Sequence, residues 1–214
     1  MYFADKKQLT KLEKTSIITS IKFIVFWGDL MSELNNSKNN KSCRISVRRL
    51  CFASLFAALS CVGTFISVPL PIGYFNLGDI FVLTGAFLLG PLWGAAAAGI
   101  GSALADIFMG FAIYAPATFI IKALVAAVAA LLVAFCRRTV KNGKLLTLSW
   151  LVCAMIAECV MVGGYFLYES LFLGYGLGAV ASVLGNCMQG LCGAVGAFVI
   201  CTILPEKIFP KRFL

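Results

Sequence analysis

The sequence predicts an all-α integral membrane protein, a bundle of six transmembrane helices with both termini in the cytoplasm. Of its 214 residues, 61% are hydrophobic and only 13% are charged, whereas about a quarter of the residues in a soluble domain are charged. The mean hydropathy is +0.95. Because a membrane-spanning helix needs roughly 20 apolar residues, the apolar region from about residue 50 to residue 204 has room for six. An ordinary soluble globular fold is excluded.

The basic residues predict the orientation of the spans. Ten of the 18 lysines and arginines lie at or before Arg49, four lie between Arg137 and Lys144, and three follow Pro205. Only Lys122 falls inside an apolar segment. Basic loops stay in the cytoplasm, so an even number of crossings places both termini there. A net charge of +9 spread in this way forms no single basic surface and argues against a nucleic-acid partner.

Composition divides the chain into three parts. Residues 1–49 form a basic cytoplasmic segment, residues 50–204 the membrane domain and residues 205–214 a basic cytoplasmic tail. The short apolar run 17–27 contains Lys22 and is too short to span, so we interpret it as a helix on the membrane surface. An alternative is that translation begins at Met31, which would make the upstream segment dispensable.

Proline and glycine clusters separate the apolar segments. Prolines remove backbone donors and favour extended turns. We expect one such turn from Pro69 to Gly73 and interpret it as a lid over a binding pocket. The nine cysteines contain no C-x-x-C pair, so neither a disulfide framework nor a zinc site is expected. The six predicted spans are 50–68, 77–89, 93–111, 116–135, 146–171 and 179–204.

Polar side chains inside the spans predict a ligand site, because such groups are costly in hydrocarbon and usually face a cavity or the bundle interior. With a rise of about 1.5 Å per residue, their depths converge on the outer half of the membrane, with Asp79 at the outer mouth. Aromatic and amide groups share these helix faces, which suits a small, flat, polar organic ligand. The predicted binding residues are Asn76, Asp79, Asp106, Lys122, Glu158, Tyr165, Asn186 and Gln189.

Other interpretations of these residues stay open. Lys122 could neutralise Asp106 or Glu158 inside the bundle, and the amides could join helices. Asp106 and Glu158 could instead serve as acid and base in an enzyme that acts on lipid. A self-sufficient carrier is a third possibility, although no repeat of two halves is visible. No catalytic or nucleotide-binding motif is present, so we expect no enzyme activity, no catalytic residue, no cofactor and no metal.

Four blocks of sequence resemble the substrate-binding subunits, or S components, of energy-coupling factor (ECF) vitamin transporters, and most closely their riboflavin-type branch. The resemblance covers roughly residues 45 to 204. Each block alone would be weak evidence, whereas the set is specific. The blocks are residues 73–79, 88–94, 101–106 and 114–124.

The resemblance implies a subunit that captures a vitamin or vitamin precursor outside the cell. Its implied partners are a transmembrane coupling subunit, called the T component, and two cytoplasmic ATPases, and its implied location is the plasma membrane of a bacterium. Family members contact the coupling subunit through an A-x-x-x-A pattern on the first helix, which Ala53 and Ala57 match. Small residues four apart allow such close helix packing, although they serve internal packing equally well.

Overall fold

In a computed structural model, the chain forms a helical bundle, of which residues 47–69, 74–140 and 143–203 are described. The predicted surface helix 17–27 and most of the predicted lid lie outside these residues. Two short strands, a π-helical turn (Tyr168–Phe172) and a 3-10 turn (Gly176–Ala179) accompany five helices. The helices are α1 (Val47–Phe65), α2 (Gly78–Phe108), α3 (Ala115–Thr139), α4 (Gly143–Leu167) and α5 (Val180–Ile203).

Five described segments are long and apolar enough to cross a membrane, which confirms a multi-pass, mostly helical membrane protein. Their large side chains stay exposed on the outside of the bundle, as lipid-facing residues do: Leu92 is 77% and Leu184 71% exposed. The prediction of six separate spans is not confirmed by this count. The difference arises in α2, where the second and third predicted spans form one element.

Helix α2 is sharply bent at Gly90. This residue has φ 80° and ψ −178°, a conformation that only glycine adopts readily, and Pro91 follows it. A Cβ on Gly94 would lie 2.8 Å from the Cα of Ala86, although eight residues of a straight helix span about 12 Å. The chain therefore folds back on itself. We call residues 78–89 the short arm of α2 and residues 91–108 its long arm.

A two-stranded hairpin lies between α1 and the short arm. Strands β1 (Ser67–Pro69) and β2 (Tyr74–Asn76) pair antiparallel, with Ser67 opposite Asn76. The sequence prediction extended the first span to residue 68, but the helix ends at Phe65. Proline after Val68 favours extended backbone, and pairing with β2 continues that geometry back to Ser67.

Glycines bring the helices into close contact. A Cβ on Gly63 would lie 2.8 Å from the ring of Phe81, and one on Gly101 would lie 2.2 Å from the carbonyl oxygen of Ala57. Helix α1 therefore packs antiparallel to the short arm and parallel to the long arm. Close approach of this kind is typical of helix pairs in membranes.

The bundle has two distinct ends. The hairpin, the 109–114 connection and the 168–179 connection lie at one end, which we call the hairpin end. The Gly90 bend and the last turn of α3, with Arg137 and Arg138, lie at the other. Asp106, Lys122 and Gln189 each lie nearer to the hairpin end than to the other end of their own helix segment.

Gly101→Ala should destabilise the protein, because the added methyl group meets backbone rather than a flexible side chain. Overpacking costs about 1–3 kcal/mol of unfolding free energy, so the thermal midpoint in detergent should fall by several degrees. Gly163→Ala is the matched control, since a Cβ there meets nothing within 4 Å. Helix propensity should make that control neutral or slightly stabilising. Equal midpoints for the two variants would contradict this packing.

Candidate functional site

A buried ion pair lies at the centre of the polar residues. Lys122 Nζ donates to Asp79 Oδ1 at 2.5 Å, and Gln189 Nε2 donates to Asp79 Oδ2 at 2.6 Å. Asp79 is 0%, Lys122 3% and Gln189 2% exposed. Both carboxylate oxygens of Asp79 thus have donors, which a buried charge requires. With Asn76 and Met161, described next, these residues form what we call the polar cluster.

Asn76 connects the hairpin to this pair. Gln189 Oε1 accepts from the backbone N–H of Asn76 at 3.2 Å and from its Nδ2 at 3.1 Å. Asn76 Oδ1 in turn accepts from the backbone N–H of Gly78 at 2.9 Å, at the start of α2. Asp79 lies in the first turn of that helix, where the helix dipole stabilises a negative charge. The local fold therefore positions Asp79 to accept hydrogen bonds through both carboxyl oxygens.

Helix α4 completes the surroundings of Lys122. Its Nζ lies 2.9 Å from Met161 Sδ and 5.7 Å from the centroid of the Tyr165 ring. The Tyr165 hydroxyl donates to Thr118 Oγ1 at 3.1 Å. Aromatic faces attract ammonium groups within about 6 Å, so Lys122 is held by three partners of different chemistry.

Asp79 lies deeper than predicted. Its Cβ would be 2.6 Å from a Cβ on Gly193, which is 13 residues, or about 20 Å, into α5 from Val180. The prediction of a position at the outer mouth was therefore wrong. The reason is that the short arm has only 12 residues and measures about 18 Å, so its first turn begins inside the bundle.

Two further carboxyl groups are buried inside the bundle. Glu158 is 3% exposed and packs against Gly190 of α5. Within the described residues, neither of its carboxyl oxygens has a hydrogen-bond partner. Asp106 is 1% exposed and interacts electrostatically with Tyr165.

The structure thus brings together five of the eight predicted residues and differs from two expectations. Lys122 pairs with Asp79, not with Asp106 or Glu158. Asn186 is only partly buried and makes none of the hydrogen bonds that hold the polar cluster. Gln189 joins two helices, because its Nε2 on α5 donates to Asp79 of α2.

Sequence reasoning missed Met161 and Thr118 as members of the site. Met161 shares a helix face with Glu158 and Tyr165 by its spacing, but an apolar side chain gives no sequence signal for a polar site. Thr118 precedes Lys122 by four residues and therefore shares its face. Helical spacing from Lys122 was the signal that could have identified it.

Aromatic side chains gather at the hairpin end, above the polar cluster. The rings of Tyr114 and Tyr168 pack edge to face at 5.8 Å, and Tyr168 stacks on Phe172 at 5.7 Å. Tyr168 donates its hydroxyl to the carbonyl of Ile113 at 2.5 Å. Burial, with the nearby Glu169 charge, raises the pKa of Tyr114 to about 12, so its phenol stays neutral.

A separate apolar groove of about 400 Å³ runs along the outside of the bundle between α1 and the long arm of α2. Ala53, Ala57, Ser54 and Cys61 line its α1 side. Ala53 is itself only 7% exposed, whereas Ser54 is exposed. The two alanines therefore form the floor of the groove, and Ser54 forms part of its accessible wall.

No group of three or more histidine, cysteine, aspartate or glutamate residues in ranges 47–69, 74–140 and 143–203 could hold a metal ion. The charged groups of the site instead satisfy one another or face the bundle interior. Their chemistry suits hydrogen bonding to an organic molecule.

A family model matches most of the chain. The family model for ECF-type riboflavin transporter S components matches residues 44–206. A protein of Pyrococcus woesei, described as an uncharacterized protein in a gap 3′ region, is 33% identical over 145 residues, which are 68% of this chain and 91% of that protein.

Two solved structures match this chain, and the first of them has a similar fold. The S component of a bacterial ECF transporter has a TM-score of 0.54 and 22% identity, covering 74% of this chain and 95% of the other. The biotin S component of an ECF-type ABC transporter has a TM-score of 0.48 and 13% identity, covering 79% and 99%. From the family match and its extent, this chain belongs to the ECF-type riboflavin transporter S components.

Proposed function

We propose that this protein captures riboflavin, or a similarly flat and polar vitamin or precursor, from outside the cell for an ATP-driven ECF importer. The observation that carries the proposal is the polar cluster, an ion pair and two amides buried at 0–6% exposure inside an apolar bundle. A bundle needing only stability would do as well with apolar residues there. Family membership supplies an explanation for these buried polar groups, because an S component binds substrate for a transporter.

The site residues we propose are Asn76, Asp79, Lys122, Tyr165 and Gln189, with Asp106, Glu158 and Asn186 beside them. Amide and carboxylate groups supply donors and acceptors for the polar edge of a ring system, and Tyr165 supplies a flat apolar face. The aromatic residues at the hairpin end would give a planar molecule further stacking surface during entry. This combination favours a flat heteroaromatic ligand over an inorganic ion.

We propose six passes through the plasma membrane of a bacterium, with both termini in the cytoplasm. The two arms of α2 run in opposite directions from Gly90, which gives an even number of helical segments. Arg137 and Arg138 lie at the end opposite the hairpin, and basic residues favour the cytoplasmic side. The hairpin and the connections beside it then face the outside of the cell, and the polar cluster lies beneath them.

The partners we propose are a transmembrane T component and two cytoplasmic ATPases. The groove between α1 and the long arm of α2 is the surface we assign to the T component, because small residues let a partner helix approach closely. The described chain offers no nucleotide-binding motif, so energy must come from those partners. A lipid-directed enzyme is disfavoured, because the family consists of transporter components.

Riboflavin binding tests the capture step. The full chain, purified gently in detergent, should retain a flavin that denaturation releases and mass spectrometry identifies. After the bound ligand is removed, riboflavin should restore a saturable complex with a Kd of roughly 1 μM or tighter. If the protein retains a different vitamin, that vitamin and not riboflavin is its ligand. Failure to bind any vitamin would contradict the proposed capture function.

Reconstitution tests the dependence on partners. Vesicles that contain the S component with its T component and ATPases should take up riboflavin only when ATP is supplied on the ATPase side. Vesicles with the S component alone should show binding but no accumulation. Uptake by the S component alone would favour the self-sufficient carrier.

A further inference from the structure

Glu158 stands apart from the other buried polar residues. Asp79, Lys122, Gln189 and Asn76 satisfy one another, whereas the two carboxyl oxygens of Glu158 are buried and have no hydrogen-bond donor among the described residues. The residue as a whole is only 3% exposed. It packs on Gly190, where an added Cβ would lie 2.9 Å from the Cβ of Glu158.

This placement is unfavourable for folding alone. A buried polar group without a partner costs about 1–3 kcal/mol, and more when it is charged. A methionine or a leucine of similar size would avoid that cost. A carboxyl group in this position therefore indicates a partner beyond the described residues, and a bound ligand would supply one.

Position connects Glu158 to the polar cluster. It interacts electrostatically with both Asp79 and Lys122, and it lies one helical turn before Met161, which touches Lys122 and Gln189. Tyr165 follows seven residues after Glu158 on the same face. A molecule that occupied the space beside Lys122 and Tyr165 would therefore come within reach of Glu158.

The charges around Glu158 limit which molecules fit. This part of the described bundle contains three carboxyl groups, from Asp79, Asp106 and Glu158, and one cation, Lys122. Its Nζ is already paired with Asp79 at 2.5 Å. A ligand carboxylate would add a negative charge that Lys122, already paired with Asp79, could not neutralise. An N–H or O–H group of a ligand would instead supply the hydrogen-bond donor that Glu158 lacks.

We infer that Glu158 determines specificity by accepting a hydrogen bond from an N–H or O–H group of an uncharged ligand, and that it disfavours vitamins whose carboxylate would enter the site. This inference rests on the proposed capture function and adds the substrate class to it. Riboflavin fits the class, with one ring N–H and several hydroxyl groups and no charge. Biotin, which carries a carboxylate, does not.

Binding titrations of the ligand-free full chain test the role of Glu158. Glu158→Gln keeps the size but replaces one acceptor oxygen by a donor, and riboflavin affinity should fall about 10- to 100-fold, as expected when a buried donor loses its acceptor. Glu169→Gln is the control, because Glu169 is equally buried but already contacts Ser182 Oγ. That variant should bind riboflavin as the native chain does.

Two riboflavin analogues distinguish a direct hydrogen bond between Glu158 and the ligand from a structural effect of the substitution. Flavin methylated at the ring N–H lacks that donor, and lumiflavin lacks the sugar-alcohol hydroxyls. The analogue that lacks the donor contacting Glu158 should bind the native chain and Glu158→Gln with equal affinity. If both analogues lose affinity in Glu158→Gln by the same factor as riboflavin, Glu158 acts through structure and the inference is overturned.

Two further measurements, of biotin affinity and of thermal stability, can contradict the inference about Glu158 without contradicting vitamin capture. Native protein should bind biotin at least about 100-fold more weakly than riboflavin, by the cost of an uncompensated buried charge. Tighter binding of biotin would overturn the inference and leave vitamin capture intact. Independently of any ligand, Glu158→Met should raise the thermal midpoint of the ligand-free protein, because it removes the unpartnered polar group, and a lower midpoint would show a structural role.

Discussion

Ser54→Trp and Ala57→Trp should abolish ATP-dependent uptake by the reconstituted transporter while leaving riboflavin binding intact. Both residues line the apolar groove between α1 and the long arm of α2. An indole there fills the groove and holds a partner helix away, so uptake should fall by at least about tenfold, because such contacts depend on small residues. Ser54→Trp is the cleaner variant, since Ser54 is exposed and Ala57 partly buried.

Leu55→Trp is the matched control for the groove. Leu55 is adjacent to Ser54 and 50% exposed, but it is absent from the groove lining and faces about 100° further around α1. Uptake should be close to native in this variant. Pull-down of the T component should follow the same order, with weak recovery for Ser54→Trp and normal recovery for Leu55→Trp. Native uptake in both groove variants would place the coupling surface elsewhere.

The sequence was a good guide where burial in lipid is the dominant force. Apolar length and the positions of basic residues predicted the helical segments to within a few residues, since hydrocarbon leaves the backbone no alternative to helix. Arg137 and Arg138 marked the end of α3 as expected, with the helix continuing only to Thr139. These signals are local, so one sequence is sufficient to detect them.

Contacts between segments were less predictable. Gly90 and Pro91 were expected to end a span, but the fold-back that brings Gly94 against Ala86 depends on how two helices pack. The hairpin pairing of Ser67 with Asn76 joins residues whose strands are only three residues long. Segments so short give little periodic pattern, and their pairing is decided by the bundle beneath them.

Contacts within the candidate site were equally hard to predict from the sequence. Depth estimates grouped Asp79, Lys122 and Gln189 in one half of the membrane, but they assumed straight helices that begin at the surface. They could not reveal that the short arm starts inside the bundle, nor which carboxylate meets Lys122. Rotation and tilt of each helix decide such pairs, and these depend on packing against neighbours. Met161 was missed for the same reason, since its role follows from its distance to Lys122.

Breaking the Asp79–Lys122 pair should have the largest effect on the site. Asp79→Asn leaves the Lys122 ammonium buried without its counter-ion, which costs about 3–5 kcal/mol of unfolding free energy. Lys122→Met should cost a similar amount by leaving the Asp79 carboxylate with only the Gln189 donor. If these groups also bind the ligand, each variant should lose at least about 100-fold in riboflavin affinity, or about 2.7 kcal/mol. Thermal unfolding and titration measure the two effects separately.

The double variant Asp79→Asn with Lys122→Met distinguishes a binding site from a structural ion pair. Removing both charges eliminates the unpaired ion, and the amide oxygen introduced at position 79 can still accept from Gln189 Nε2, so stability should recover most of the loss. Riboflavin affinity should not recover, because the groups that contact the ligand are gone. Recovery of both would mean that the pair only holds helices together. Recovery of stability alone is the pattern expected of residues that the fold tolerates and the ligand requires.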